Sequence, residues 1–549
     1  MESQRSFLLI GLAVVSFLLW QQWQIKTAPK PVGTPSVQQV QADTPIATDN
    51  TEQMSDVPQV AADKAQVVSN ETTGQLVTVK TDTLNISIDT RGGDVVRADL
   101  MDYAVTQKSA ERFNLLRNDA DGLYIAQSGL IGPNGPDSSK NRAVYSTTQT
   151  AWELEGDSLT VPLTLTTADG LQITKNFIFT RGKHDVLVQY VLSNQSDSNK
   201  QVRPYTQLKQ AYKGAESGGM FMPTYRGAAY STDQVRYEKY TFEDIQEARL
   251  DMNSTGGWVA MLEHYFVSAW VPAQDQNVTL FSRNLNNVYG TIGYTQDLIT
   301  LAPGDQVEIS NELYIGPKDQ DSLEQLARGL DLTVDYGIFW WLSQPLFWLL
   351  KFLHSFLGNW GLAIIVITIL VKGAMYPLTK KQYESMGKMR AIQPKMQALK
   401  DKYGDDRQKM SQAMMELYRK EKVNPMGGCF PLLLQMPIFL ALYYMFLESV
   451  ELRHAEFYLW IADLSVKDPY YILPILMGVS MYALQKLNPV TVQDPMQQKI
   501  MQWMPVVMTV FFVMFPAGLV LYWLVSNLIT LVQAKMIYAS MRKRGIAVS

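Results

Sequence analysis

The stretch Trp360–Leu378, WGLAIIVITILVKGAMYPL, carries a single charge, Lys372, in an otherwise apolar run. At about 1.5 Å of rise per residue, a helix of this length matches the hydrocarbon core of a bilayer. A charge at the centre of such a helix costs roughly 2.5–3.5 kcal/mol, so Lys372 needs a partner, water or the interface. Two readings follow: a lysine near a helix end that snorkels to the headgroups, or a charge held in a polar compartment inside the membrane. The stretch by itself leaves both open.

Working outward, the flanks set the topology. Between Lys372 and Asn424 there are 13 Lys+Arg and 6 Asp+Glu, an excess that belongs in the cytoplasm. The preceding stretch, 336–357, is rich in Trp and Phe but holds Gln344, Pro345, Lys351 and His354. If it also crossed the bilayer, the basic segment would lie outside, so it is expected to lie along the outer interface. Asn359-Trp360-Gly361 then turns the chain into a span over 358–378. Within 379–424, Met386, Met389, Gln393, Met396, Leu399 and Tyr403 approximate a heptad stripe. Met410, Met414, Leu417 and Glu421 continue it beyond a turn at Gly404-Asp405. This predicts a cytoplasmic helical hairpin bent near Pro394, its arms packed on each other, with the methionines a flexible surface for apolar segments.

Further spans are expected over Cys429–Leu447 and Tyr470–Leu487, with the acidic Glu448–Asp468 outside. Ile500–Val532 would reach about 50 Å as one helix against a core of about 30 Å. Phe515-Pro516-Ala517-Gly518 is therefore expected to divide it into two short helices, which places Arg542-Lys543-Arg544 of the basic tail (539–549) inside. At the N-terminus, Arg5 precedes the apolar run Phe7–Trp20 and no A-x-A-like cleavage site follows, so residues 1–25 read as a retained signal anchor. Six spans with both termini cytoplasmic satisfy every flank.

Residues 26–73, rich in Pro, Gln, Thr, Val and Asp, read as a flexible tether. From Gly74 to Asp335 the texture changes to alternating segments such as Leu84-Asn-Ile-Ser-Ile-Asp and Val186-Leu-Val-Gln-Tyr-Val, punctuated by Gly92-Gly93, Pro133-Asn134-Gly135 and Pro303-Gly304. Period-two patterning with frequent turns predicts a large antiparallel β-sandwich, followed by a short helix at Ser322–Leu330. Nothing in its sequence marks a binding site there.

Charge separates the halves. The 549-residue chain has a net charge of −4, but Ile338 to the end holds 22 Lys+Arg and 12 Asp+Glu, leaving 26 and 40 before it. The basic residues lie beside apolar spans, which favours anionic lipid or an acidic partner over direct nucleic-acid recognition. Cys429 is the only cysteine, and His184, His264, His354 and His454 are scattered, so a zinc site, an intrachain disulfide and any cysteine-based site are not expected. GxxxxGK[ST], GxSxG and GxGxxG motifs are absent, and no cofactor is implied. An intramembrane protease would need a Ser–His or paired-Asp constellation within spans, and none is found. A secondary transporter with an intramembrane polar site stays open on residues alone, although repeated halves are not seen.

Several segments carry a specific resemblance: Met375-Tyr-Pro-Leu-Thr379, Asn424-Pro-Met-Gly-Gly-Cys-Phe-Pro431, Gln435-Met-Pro-Ile-Phe-Leu-Ala-Leu-Tyr-Tyr444, Asp468-Pro-Tyr-Tyr-Ile-Leu-Pro-Ile-Leu-Met-Gly478, Asp494-Pro-Met-Gln-Gln-Lys499 and Gly518-Leu-Val-Leu-Tyr-Trp-Leu-Val-Ser-Asn527. From about Ile338 onward the chain resembles the YidC membrane-protein insertases, relatives of the mitochondrial oxidase-assembly and chloroplast albino-type insertases. The anchor, tether and β-domain match the Gram-negative form in order and length. The resemblance implies a bacterial inner-membrane protein with a periplasmic domain and a five-helix core around a hydrophilic groove. That groove is open to the cytoplasm and to lipid and closed towards the periplasm. Its single positive charge, usually arginine, falls on Lys372, which keeps the charge but loses the planar fork. By the same resemblance Thr368, Phe439, Met477, Phe511 and Trp523 contact the substrate, Trp523 standing where tyrosine is common. Gln435, Ser526 and Asn527 are expected to line the wet side. Each of these also has a packing role open to it. Implied partners are nascent membrane proteins, the Sec translocon, the ribosome and the signal-recognition receptor. The implied activity is that of an insertase and chaperone, not a bond-making enzyme.

Overall fold

The computed structural model describes residues 57–58, 74–119, 122–138, 141–213, 224–403, 406–421, 430–487 and 495–544. The anchor (1–25), the tether other than residues 57–58, the turn at Gly404-Asp405, the motif residues 424–429, Asp494 and the end of the basic tail lie outside them. The described residues fall into two compact units, one up to Asp335 and one from Tyr336, with Glu448–Glu451 counted to the first.

The first unit is a sandwich of an eleven-stranded and an eight-stranded sheet. Alternation decides which side chains go inside. Leu171–Thr180 buries Leu171, Ile173, Phe177 and Phe179, and its antiparallel neighbour Asp185–Asn194 buries Val186, Val188, Tyr190 and Leu192. The pairing is antiparallel except between Leu76–Lys80 and Ala151–Glu153, which run parallel. The expectation of a purely antiparallel sandwich is corrected there: the strand after the long 132–150 connection returns to the sheet edge in the other sense. Lys175 falls on the inward side of its strand, opposite Tyr190 in register, and is fully buried.

Within the expected tether, Val57 is 2% exposed and packs on Ile131 and Tyr205. Arg283 Nη1 donates to its carbonyl at 2.8 Å. At this point the chain is packed on the first unit, within the stretch expected to be a flexible tether. Two short helices complete the unit. The first, α1 (Phe242–Glu247), is held by a capping box between Thr241 and Asp244. The second, α2 (Gln320–Leu326), is capped by the Asp319 carboxylate, which accepts from Ser322 N. It stops short of Leu330, because Gly329 adopts φ +83° and a 3-10 turn (Leu330–Thr333) follows.

The second unit is helical. Helix α3 (Trp340–Leu357) ends at Gly358, whose φ of +63° reverses the chain. The Asn359 side chain then accepts from Leu362 N and starts α4 (Trp360–Ala374). α4 stops four residues before Leu378 and bends by 62° into α5 (Tyr376–Ala391). Pro377 explains the break: it has no N–H for the Gly373 carbonyl, and its ring would press on that carbonyl in a continuous helix. The hairpin follows as α6 (Gln393–Tyr403) and α7 (Arg407–Lys420). Ile392 and Met396 pack with Met389, Met414, Leu417 and Tyr418, so the methionine stripe closes on itself.

Helices α8 (Phe430–Glu448), α9 (Ile472–Leu487), α10 (Pro495–Phe512) and α11 (Ala517–Lys543) complete the unit. The break at Phe515–Gly518 separates helices of 18 and 27 residues rather than two short ones, and α11 carries on into the basic tail. Among the described residues, α11 alone is long and apolar enough to cross a membrane, and the bent α4–α5 pair makes a second such element if taken as one span. Six spans are therefore not established by helix length and composition.

Candidate functional site

α4 places Thr368 and Lys372 one helical turn apart, on the same face. Thr368 is fully buried and its hydroxyl donates at 2.5 Å to the Ile364 carbonyl in its own helix. Lys372 is 8% exposed, and its amine donates to Gln435 Oε1 on α8 at 3.2 Å. Tyr522 of α11 is buried, its ring 6.0 Å from that of Phe446 on α8. Among the described residues no carboxylate pairs with Lys372. A cation in a bundle, met by neutral amide dipoles and no counter-ion, leaves its charge uncompensated. Such a site attracts an anionic or strongly polar group far more than it would in bulk water.

An aromatic cluster is built from α8, α10 and α11. Phe439 meets Trp523 edge-on, with ring centroids 4.5 Å apart at 81°, and Phe512 lies 4.8 Å from Trp523 on another side. Phe511 contacts Phe512 and Phe515. Phe439, Phe511 and Trp523 are each partly exposed, whereas Met477 on α9 is fully buried. The structure thus gathers Lys372 with Gln435, and Phe439 with Trp523. Asn527 donates instead to Ser480 Oγ on α9 at 3.0 Å, and Ser526 is buried within the bundle at 7% exposure. The Asn527–Ser480 bond is an interhelical packing bond of the kind worth about 0.6 kcal/mol in membranes.

Sequence reasoning passed over Tyr522, Phe512, Ser480 and Gln533. Gln533 Nε2 donates to the Lys372 carbonyl at 3.2 Å. A signal for it exists: Ser526, Thr530 and Gln533 recur at i, i+4 and i+7 in the largely apolar part of α11, a polar stripe on one face.

A two-sheet domain on the same chain as a largely apolar helical unit, in which Lys372 is the buried cation among the described residues, defines a two-part protein. Comparison with known proteins gives the family. Residues 76–349 match the YidC periplasmic domain, and residues 352–544 match the 60Kd inner membrane protein family. The membrane protein insertase YidC of Pseudoalteromonas atlantica is 58% identical over 547 residues, covering 100% of this chain and 99% of that protein. Its namesake in Shewanella halifaxensis is 54% identical over 550 residues, covering 100% of both. Among solved structures, an active YidC insertase with its first transmembrane domain resolved aligns over 84% of this chain and 94% of its own. Its identity is 18% and its TM-score 0.37. The chain belongs to the YidC family of membrane protein insertases.

Proposed function

We propose that this protein inserts membrane proteins into the bacterial inner membrane and assists their folding. It crosses the bilayer six times, with both termini in the cytoplasm and the β-sandwich in the periplasm. The observation that carries the mechanism is the Lys372 ammonium, held by the Gln435 amide with no counter-ion among the described residues. The polar or acidic tail of an incoming chain is drawn to this charge and spends less of its path in hydrocarbon. Its apolar segment moves along Phe439, Phe511 and Trp523, then leaves sideways into lipid. Thr368 and Met477, both fully buried, support this path from behind. Asn527 ties α11 to α9 beside it through Ser480, with Ser526 buried next to it.

No nucleotide is required, because partitioning of the substrate's apolar segment supplies the driving force. The membrane potential adds about 2.3 kcal/mol per charge for each 100 mV. The Sec translocon, the ribosome, the signal-recognition receptor and anionic lipids are the partners of this reading, with the basic hairpin and tail as contact surfaces. The test is Lys372→Ala against Lys372→Arg in depleted cells, read by protease protection of substrates with acidic translocated tails. Alanine is expected to impair insertion and arginine to preserve it. Normal insertion by both reduces Lys372 to a snorkelling charge.

A further inference from the structure

The turn that carries Lys372 is the last turn of α4, where backbone carbonyls run out of intrahelical donors. Pro377 sharpens that shortage by removing one N–H from the start of α5. Gln533, reaching across from α11, supplies a donor to the Lys372 carbonyl. It is 8% exposed. Its amide orientation is set by chemistry, because a flipped amide would turn Oε1 against the carbonyl oxygen. With the NH2 so used, Gln533 Oε1 is left buried with no hydrogen-bond partner among the described residues. A buried orphan acceptor is costly, and apolar packing alone does not call for a glutamine here. Lys372 is thereby gripped from two helices, its amine by Gln435 and its backbone by Gln533.

We infer that Gln533 is a positioning residue for Lys372: it fixes the rotation of the α4 turn so that the ammonium stays presented beside Gln435. This rests on the reading of Lys372 as the charge that captures substrate tails. Gln533 does not contact substrate in this scheme.

The test uses the full-length chain in depleted cells, with two reporters that differ only in having an acidic or a neutral translocated tail. Gln533→Met keeps the length and removes the donor. It should lower insertion of the acidic-tail reporter about fivefold, the equivalent of one ordinary hydrogen bond, and that of the neutral one by less than twofold. Gln533→His retains an N–H and should recover most of the loss. On a Lys372→Ala background, Gln533→Met should add no further defect. Equal losses for both reporters would assign Gln533 a structural role and overturn the proposal, as would no loss at all. If Lys372→Ala itself spares the acidic reporter, the reading of Lys372 fails and the proposal with it. If Lys372→Ala impairs it and Gln533→Met does not, positioning alone fails.

Discussion

The amine of Lys175 lies 2.7 Å from the carbonyl oxygen of Gly93, inside the β-sandwich. It also donates to Gly92 O at 3.0 Å and Ser128 O at 3.3 Å, with the Phe177 and Tyr190 rings at 5.3 and 5.2 Å. Burial pushes the amine down to about 7, against the pull of Asp94. Between about pH 7 and the unfolded value of 10.5, the folded domain has released a proton that the unfolded chain keeps. Stability from this group therefore grows as pH rises through that window, by at most about 1.4 kcal/mol per pH unit, and is least below it. Thermal melts of the full-length chain in detergent should show wild type gaining on Lys175→Met between pH 6 and pH 9. A constant difference across that range would refute the linkage.

Gly92 adopts φ +84°, and a Cβ there would come within 2.2 Å of Arg142 Nη2. Arg142 is buried and pairs with Asp94 and Asp137. Gly92→Ala should cost about 3 kcal/mol or more, because it displaces one member of a buried ion pair. Gly182 has φ +74° but open space around it, so Gly182→Ala should cost only about 1–2 kcal/mol of backbone strain. Urea midpoints compare the two directly, and equal shifts would show that Arg142 yields freely.

α9 and α10 approach closely at Gly478, where an added Cβ would sit 1.9 Å from Thr509 Oγ1. Gly478→Leu should separate these helices, destabilise the helical unit by about 1–3 kcal/mol, and lower insertion of acidic and neutral reporters alike. A reporter-selective defect would place Gly478 in substrate handling instead.

Asp468 is 1% exposed and accepts from Leu473 N at 2.7 Å, Tyr470 N at 3.0 Å and Trp460 Nε1 at 3.1 Å. Asp468→Ala strips the start of α9 of its cap and orphans an indole N–H, a loss of about 1–3 kcal/mol. Added protease should then cleave the 449–471 loop faster than in wild type, while Asp468→Asn should hold an intermediate rate. Unchanged cleavage in the alanine variant would show that the loop is held by its other contacts.

The sandwich was readable because period-two alternation reports burial directly. The same rule hid Lys175, since a lysine counts as an outward residue even when Leu171, Ile173, Phe177 and Phe179 on either side mark its position as inward. Gly92-Gly93 was readable as a turn. Its second use, clearing space for Arg142 and Lys175, depends on strands distant in sequence and has no local signature. Pro377 stood in plain view within the opening stretch, yet hydropathy carried the expected helix past it to Leu378. In the candidate site, Lys372 announced itself by its charge against an apolar background. Gln435 and the aromatic pair Phe439–Trp523 came from resemblance, and Gln533 was missed because neutral amides barely disturb a hydropathy profile.

The kink at Met375 has a mechanical consequence. α5, with its 16 residues, extends about 24 Å beyond the pivot, while Lys372 lies only about 4–5 Å before it. The two arms therefore differ about fivefold in length. A displacement of about 4 Å at the far end of α5 translates to less than about 1 Å at the lysine. A displacement imposed at the α6–α7 hairpin therefore reaches Lys372 geared down, so that large excursions at the far end become fine adjustments of where the charge is offered.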